Sequence, residues 1–404
     1  MQVMTSPVPE LLQGPWDAGH RCHLWLNSEA YINPPQPFRL RTIKHRWRVH
    51  HFFERHLTAY GLIAYCKLLS TDEKFMLDPS LLSALVDRWR PETHTFHLRC
   101  GELTPTLKDV AFITALPISG QALVPAAYSS RWHEDVALRL GIAVPPNTRT
   151  GGRPRGVPLG WLVENFSDIP TIASPETRMK HLFAYLLYIF GTMFPSSHGD
   201  IVFPSMIKIA EHIVDKPLPD NPTYSFGSAM LAHTYRGLCE ATSKKLKSRQ
   251  ILAVCYEFLQ LWSWEYLPVG RPQIAEQDQI HPYNAGQGAH GPLTFASRWT
   301  HVRKFWAHNV AQGSYPEYHQ EFEHLEELNI TWNPWTDADT EYVWGVQPVT
   351  PYCLRDSGLW MTRCTLLFVW MVEPYNPERV MRQFGLYQDV PPPPPRRVDE
   401  ETHT

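Results

Sequence analysis

The chain has 404 residues, 43% of them hydrophobic and 12% aromatic, which is enough to bury a sizeable core as one large domain. With 37 Lys and Arg against 40 Asp and Glu the formal net charge is -3, so no global field draws the protein to nucleic acid or membrane, and any such contact needs a local patch. The 7 cysteines are odd in number, scattered and never spaced as CxxC, which argues against a disulfide framework or zinc ribbon and for a reducing compartment.

Residues 1–39 are rich in proline with little periodicity, and read as a loosely ordered arm with no secretory signal. The spacing then predicts helices over His45–Leu69 and Pro79–Trp89, the second with Asp78 as N-cap before a proline in the first helical position. RWRPETHTFHLRCGELTPTLKDVAF follows: Pro91 ends the helix, ETHTFHL reads as a short strand, and Thr106 with Asp109 resembles a capping box opening a helix that stops at Pro117. Gly141–Gly160 reads as a long loop. Pro175–Met193, Ser225–Thr242 and Ser248–Tyr266 are helices with broad apolar faces, expected to form the core. HLFAYLLYIFGTMF, within the first of them, is too short to span a bilayer and reads as a buried helix, so a soluble, intracellular protein without a membrane partner is expected.

Beyond the loop-like Gln273–Pro292, polar helices are expected near Ser297–Ala311 and Glu317–Leu328. Thr365–Glu373 reads as one buried strand, and Asn376–Phe384 as a short helix opened by a proline. The polyproline, charged segment 391–404 cannot bury a core and is expected to be disordered. The whole is a helix-dominated α+β protein: a single large, mostly helical domain over 40–390 with short β-strands and hairpins.

Glu92, His94, His97 and Glu102 raise the question of a metal or acid/base site. On a strand Glu92 and His94 share one face while His97 points to the other, so chelation by both histidines is disfavoured. The preferred reading is a structural polar cluster of Arg88, Arg90, Glu92, His94, Glu102 and Asp109 that satisfies backbone groups at a chain bend. HExxH and zinc-finger spacings are absent; His319 and His324 do not share a helical face; and the calcium-loop-like start at Asp337 has Tyr342 where glycine is needed. Neither GxSxG, a P-loop nor GxGxxG occurs, so the expectation is no enzyme, no metal, no cofactor and no small-molecule substrate.

Two charged stretches remain. Arg39–His56 carries six Lys/Arg and four His around Trp47, Phe52 and Phe53, which suits phosphate contact through Arg39, Arg41, Lys44, Arg46 and Arg48, and equally suits a solvated basic helix face. KKLKSR (Lys244–Arg249) resembles a short nuclear-import signal. The acidic Glu317–Leu328, with Glu321 and Glu323, precedes Trp332, Trp335 and Trp344, which either pack in the core or anchor a protein partner.

Taken together, RWRPETHTFHLRCGELTPTLKDVAFITALPISG (88–120), AYLLYIFGTMFPSSHG (184–199), YSFGSAMLAHTYRGLCEA (224–241), LQLWSWEYLP (259–268) and NPERVMRQFGLYQDVPPPP (376–394) resemble the plant mobile domain family. That is a transposon-associated domain, also labelled aminotransferase-like, found in the MAINTENANCE OF MERISTEMS group. Departures from its pattern are small: Arg99 where the family tends to have Pro, Ala115 where it tends to have Gly, and Phe226 for Trp. The resemblance implies a nuclear plant protein in transposon silencing, genome stability and meristem maintenance, acting with a partner of the protein phosphatase seven type. It also leaves open a transposon-derived or transposon-encoded protein that binds DNA or chromatin. It supplies no catalytic residues, and no pyridoxal-phosphate lysine is evident; Lys244 and Lys245, the nearest, sit in the basic run.

Overall fold

In a computed structural model the described residues are 20–25, 32–40, 47–70, 76–124, 129–146, 151–152, 154–243, 250–274, 294–296, 299, 304–305, 314–335 and 350–391. Helices dominate, with short antiparallel strand pairs between them, in the expected α+β class. The centre is the Pro175–Met193 helix. Ser174 caps it by accepting from the Thr177 amide, Pro175 starts it, and from His181 to Met193 every residue is buried. A helix apolar all round can only be stable when neighbours cover every side. Here Leu159–Phe166 and Ser205–Asp215 pack against it. No helix among the described residues is long and apolar enough to cross a membrane.

Phe226–Thr242 is the second core helix and lies within the Ser225–Thr242 bounds read from the sequence. It carries the Cys364–Phe368/Met371–Tyr375 hairpin on one side and Leu107–Thr114 on another. Its Gly237 is a close-approach residue: a Cβ there would sit 1.9 Å from the Ala253 carbonyl oxygen. That contact explains why the third expected helix starts late. Residues 250–255 run extended beside Phe226–Thr242, Ile251 forms a parallel bridge with Arg39, and the helix is Tyr256–Tyr266.

Other expectations are redrawn for local reasons. His45–Leu69 is not one helix, because Trp47–His50 is non-helical and Gly61, at φ 71°, separates Glu54–Ala59 from Ile63–Leu69. The helix read as Pro79–Trp89 is capped as expected, Asp78 accepting from the Ser80 and Leu81 amides, but it ends at Val86, because Trp89 and Arg90 pair as a strand with Phe96 and Thr95. The Thr365–Glu373 strand is a hairpin: Val369 adopts φ 57°, reversing the chain so that Leu366 and Phe368 face Met371, Glu373 and Tyr375 from adjacent strands. Glu317–Leu328 is the Tyr315–Glu323 helix opened by a Ser314 capping box, and Pro377–Phe384 winds as a 3-10 helix. Part of the proline-rich arm belongs to the core. Arg21 and Trp25 are buried, with the Arg21 guanidinium and the Trp25 indole both donating to Asp87, so His20–Trp25 is fastened rather than loose. The Ser297–Ala311 helix, the Asp337 stretch, KKLKSR and most of Gln273–Pro292 fall outside the described residues.

Candidate functional site

The 88–103 segment folds as a three-stranded antiparallel meander, Trp89–Arg90, Thr95–Leu98 and Gly101–Leu103, with His97 opposite Glu102. Residues 91–94 form a turn, so the strand starts later than ETHTFHL suggested. His94 closes this turn at φ 53°, a left-handed conformation that histidine tolerates better than most residues. Its amide donates to the Arg90 carbonyl, and its own carbonyl accepts from the Thr104 hydroxyl at 2.6 Å. This turn aims the imidazole inward.

There His94 Nε2 lies 3.0 Å from Glu373 Oε2, and Arg236 Nε lies 2.8 Å from Glu373 Oε1. Glu373 is wholly buried, on the inward face of Met371–Tyr375; Arg236 comes from the Phe226–Thr242 helix. A carboxylate removed from water is costly unless paired, and here the Arg236 guanidinium and the His94 imidazole converge on one. The imidazole stacks on Tyr235 with centroids 5.2 Å apart. Cys239, one turn beyond Tyr235, accepts from the Trp89 indole at 3.2 Å; burial, and then the Glu373 charge, push its thiol well up. One nitrogen of His94, the Cys239 sulfur and a Glu373 oxygen all lie within 4.8 Å of one another.

His97 goes the other way. Its Nε2 is 3.1 Å from the Thr93 hydroxyl and 3.7 Å from Glu102, whose carboxylate receives a bidentate grip from Arg379 at 2.9 and 2.6 Å and a third bond from Thr95. Next to it Gln383 exchanges two hydrogen bonds with the Thr104 backbone, pinning the C-terminal 3-10 helix to the meander.

The six residues grouped from the sequence therefore do not form one network. Arg88 turns to Glu323 at 2.6 Å; the Arg90 guanidinium is buried near the Cys22 sulfur; Glu92 is half-buried. Asp109 makes its own hub. It accepts from the Thr106 amide and hydroxyl, Tyr266 and Trp335, yet burial still raises its carboxyl, since these bonds offset desolvation only in part. Sequence reasoning missed Arg236, Cys239, Glu373 and Arg379. The available signal was a lone charge on an apolar face, Arg236 in a buried helix and Glu373 at an inward strand position, but neither names its partner.

The two surface candidates fare differently. Arg39 and Arg48 are exposed, on either side of a stretch containing Arg41, Lys44 and Arg46, which lie outside the described residues. Trp335 leaves the partner face: it is 3% exposed, stacks on Phe112 and donates to Asp109, because burying a large ring with its N–H satisfied outweighs exposing it. Glu323 is committed to Arg88, while half-buried Trp332 lies under the Arg382 guanidinium at 3.5 Å and Glu321 is half-exposed. Trp344 lies outside the described residues.

A family model described as plant mobile domain matches residues 65–404. Protein MAINTENANCE OF MERISTEMS of Arabidopsis thaliana is 31% identical over 329 residues, covering 81% of this chain and 61% of that protein. Protein MAIN-LIKE 1 of the same plant is 32% identical, over 78% of this chain and 55% of its own length. A serine/threonine-protein phosphatase 7 long form homolog, also from Arabidopsis thaliana, is 30% identical over 94% of this chain but only 26% of its own length. The chain thus spans less than two thirds of each of these relatives. No solved structure matches.

Proposed function

The chain belongs to the plant mobile domain family, and on that premise we propose that it is a non-enzymatic interaction module of the nucleus, supporting transposable-element silencing, genome stability and meristem maintenance with a phosphatase 7-type partner. One observation carries this reading. Nearly the whole chain corresponds to about a quarter of a longer relative named for phosphatase 7. A module that occurs within such a chain is well placed to meet the same kind of partner when it stands in another chain. The ionisable groups of the meander and of the helix after it support it further, since His94, Glu102 and Asp109 all make contacts that join distant segments.

The proposed docking face is the remainder of the acidic-aromatic stretch: Glu321, Glu326, Trp332 and Leu328, which is 93% exposed and follows two glutamates. Affinity purification from plant nuclei with mass spectrometry tests the reading. A phosphatase 7-type protein is expected with the wild-type chain and should be lost with Leu328→Asp, a change on an exposed residue. Recovery of no such protein removes the proposal.

The exposed Arg39 and Arg48 favour a second reading, in which the chain binds nucleic acid through phosphates. It requires DNA affinity that falls steeply with salt and weakens alike for all sequences on charge reversal at Arg48. Salt-insensitive or absent binding excludes it.

A further inference from the structure

We propose that His94, Cys239 and Glu373 bind one divalent transition-metal ion of the zinc type, held for structure and independent of which partner the protein meets. The three donors come from the 91–94 turn, the Phe226–Thr242 helix and the Met371–Tyr375 strand, so an ion there would tie together the three layers that meet at the meander. Imidazole, thiolate and carboxylate are the donor types zinc takes, and the sulfur disfavours calcium and magnesium. With bonds of about 2.0 to 2.3 Å, tetrahedral ligand atoms stand roughly 3.3 to 3.7 Å apart. Donor atoms already gathered within 4.8 Å, with the His94–Glu373 pair at 3.0 Å, need only small side-chain shifts to reach that spacing.

The surroundings are those of oriented ligands. Arg236 holds the Glu373 oxygen that does not face His94, the Trp89 indole N–H points at the Cys239 sulfur, and Tyr235 backs the imidazole. The left-handed backbone at His94 is a local strain that serves to keep this ring directed inward. An ion cluster alone accounts for His94, Arg236 and Glu373. It does not call for the sulfur that completes the triangle, which among the described residues takes only the Trp89 indole N–H, and it leaves the buried Glu92 Oε2 beside the group without a hydrogen-bond partner among them.

On binding, the Cys239 S–H proton leaves to solvent and the resulting thiolate takes the metal, so that thiolate and the Glu373 carboxylate together offset the charge of the dication.

The test uses the full chain, purified without a metal-binding tag, exposed to Zn2+ and dialysed. Stoichiometric zinc is expected by plasma mass spectrometry, with one sulfur at about 2.3 Å in the zinc-edge X-ray absorption spectrum. Replacing zinc by Co2+ should give a thiolate-to-cobalt charge-transfer band that Cys239→Ser abolishes and Cys364→Ser, at an exposed cysteine, retains. Zinc below about a tenth of stoichiometric, a metal shell without sulfur, or a folded Cys239→Ser that keeps the band overturns the proposal. Should Cys239→Ser fail to fold, the wild-type absorption spectrum decides alone.

Discussion

His94 and His97 stand on the same short meander, yet one is 2% exposed against a wholly buried carboxylate, and the other is partly exposed beside Glu102. On the inner side Glu373 is shared by His94 and Arg236 and is wholly buried; on the outer side Glu102 holds Arg379, Thr95 and His97 while both carboxylate and histidine keep some solvent. The two sides use the same chemistry at different depths. Depth sets the energy: a broken pair in the interior strands a charge that water cannot reach, whereas at the rim water replaces much of what is lost.

The largest expected effect is on the inner side. Glu373→Ala takes the buried carboxylate away from both Arg236 and His94 and should lower unfolding free energy by about 3–5 kcal/mol, measured by urea denaturation followed by tryptophan fluorescence. A loss no greater than that of the outer-side variant would break the comparison. Glu102→Ala, which removes a two-pronged contact from Arg379, should cost about 2 kcal/mol in the same assay. Since Arg379 lies in the 3-10 helix Pro377–Phe384, the same change should speed hydrogen exchange there more than in Pro175–Met193.

The first strand of the meander sharpens the contrast through pH. His319 packs flat on Trp25, and Arg88 donates to its carbonyl; burial and then the Arg88 charge push its pKa down to about 3. A group whose folded pKa lies below its unfolded value stabilises the fold above the unfolded value, near 6.5, and that stability is lost as pH falls toward about 3. The stability gap between wild type and His319→Gln should accordingly shrink between pH 7 and pH 4.5, read from thermal melts. A gap constant with pH would mean that this histidine is not held neutral.

The smallest effect concerns the end of the Leu107–Thr114 helix, which follows directly from the meander. Ala115 sits there at φ 53°, where the family resemblance leads one to expect glycine. Relief of left-handed strain exceeds the loss of one buried methyl only slightly, so Ala115→Gly should stabilise by up to about 1 kcal/mol. Any destabilisation would show that the methyl contact outweighs the strain.

How much of this could be read from the chain alone depends on range. Asp78 before Pro79 and the Thr106–Asp109 box each act within a few residues, and both caps form where the sequence placed them. The apolar length of 181–194 likewise declared a buried helix, and the ordered matches along the chain pointed to the family. Where one helix was read across Gly61, and one strand across Val369, a single positive φ redirected the chain, and only at Gly61 did the residue type hint at it. The partners of charge lay further off. That His94 would meet Glu373 and Arg236, and Glu102 would meet Arg379, follows from how helix and hairpin stack, because an ionisable side chain forced out of water takes whichever opposite charge the packed layers bring within reach, however distant in sequence.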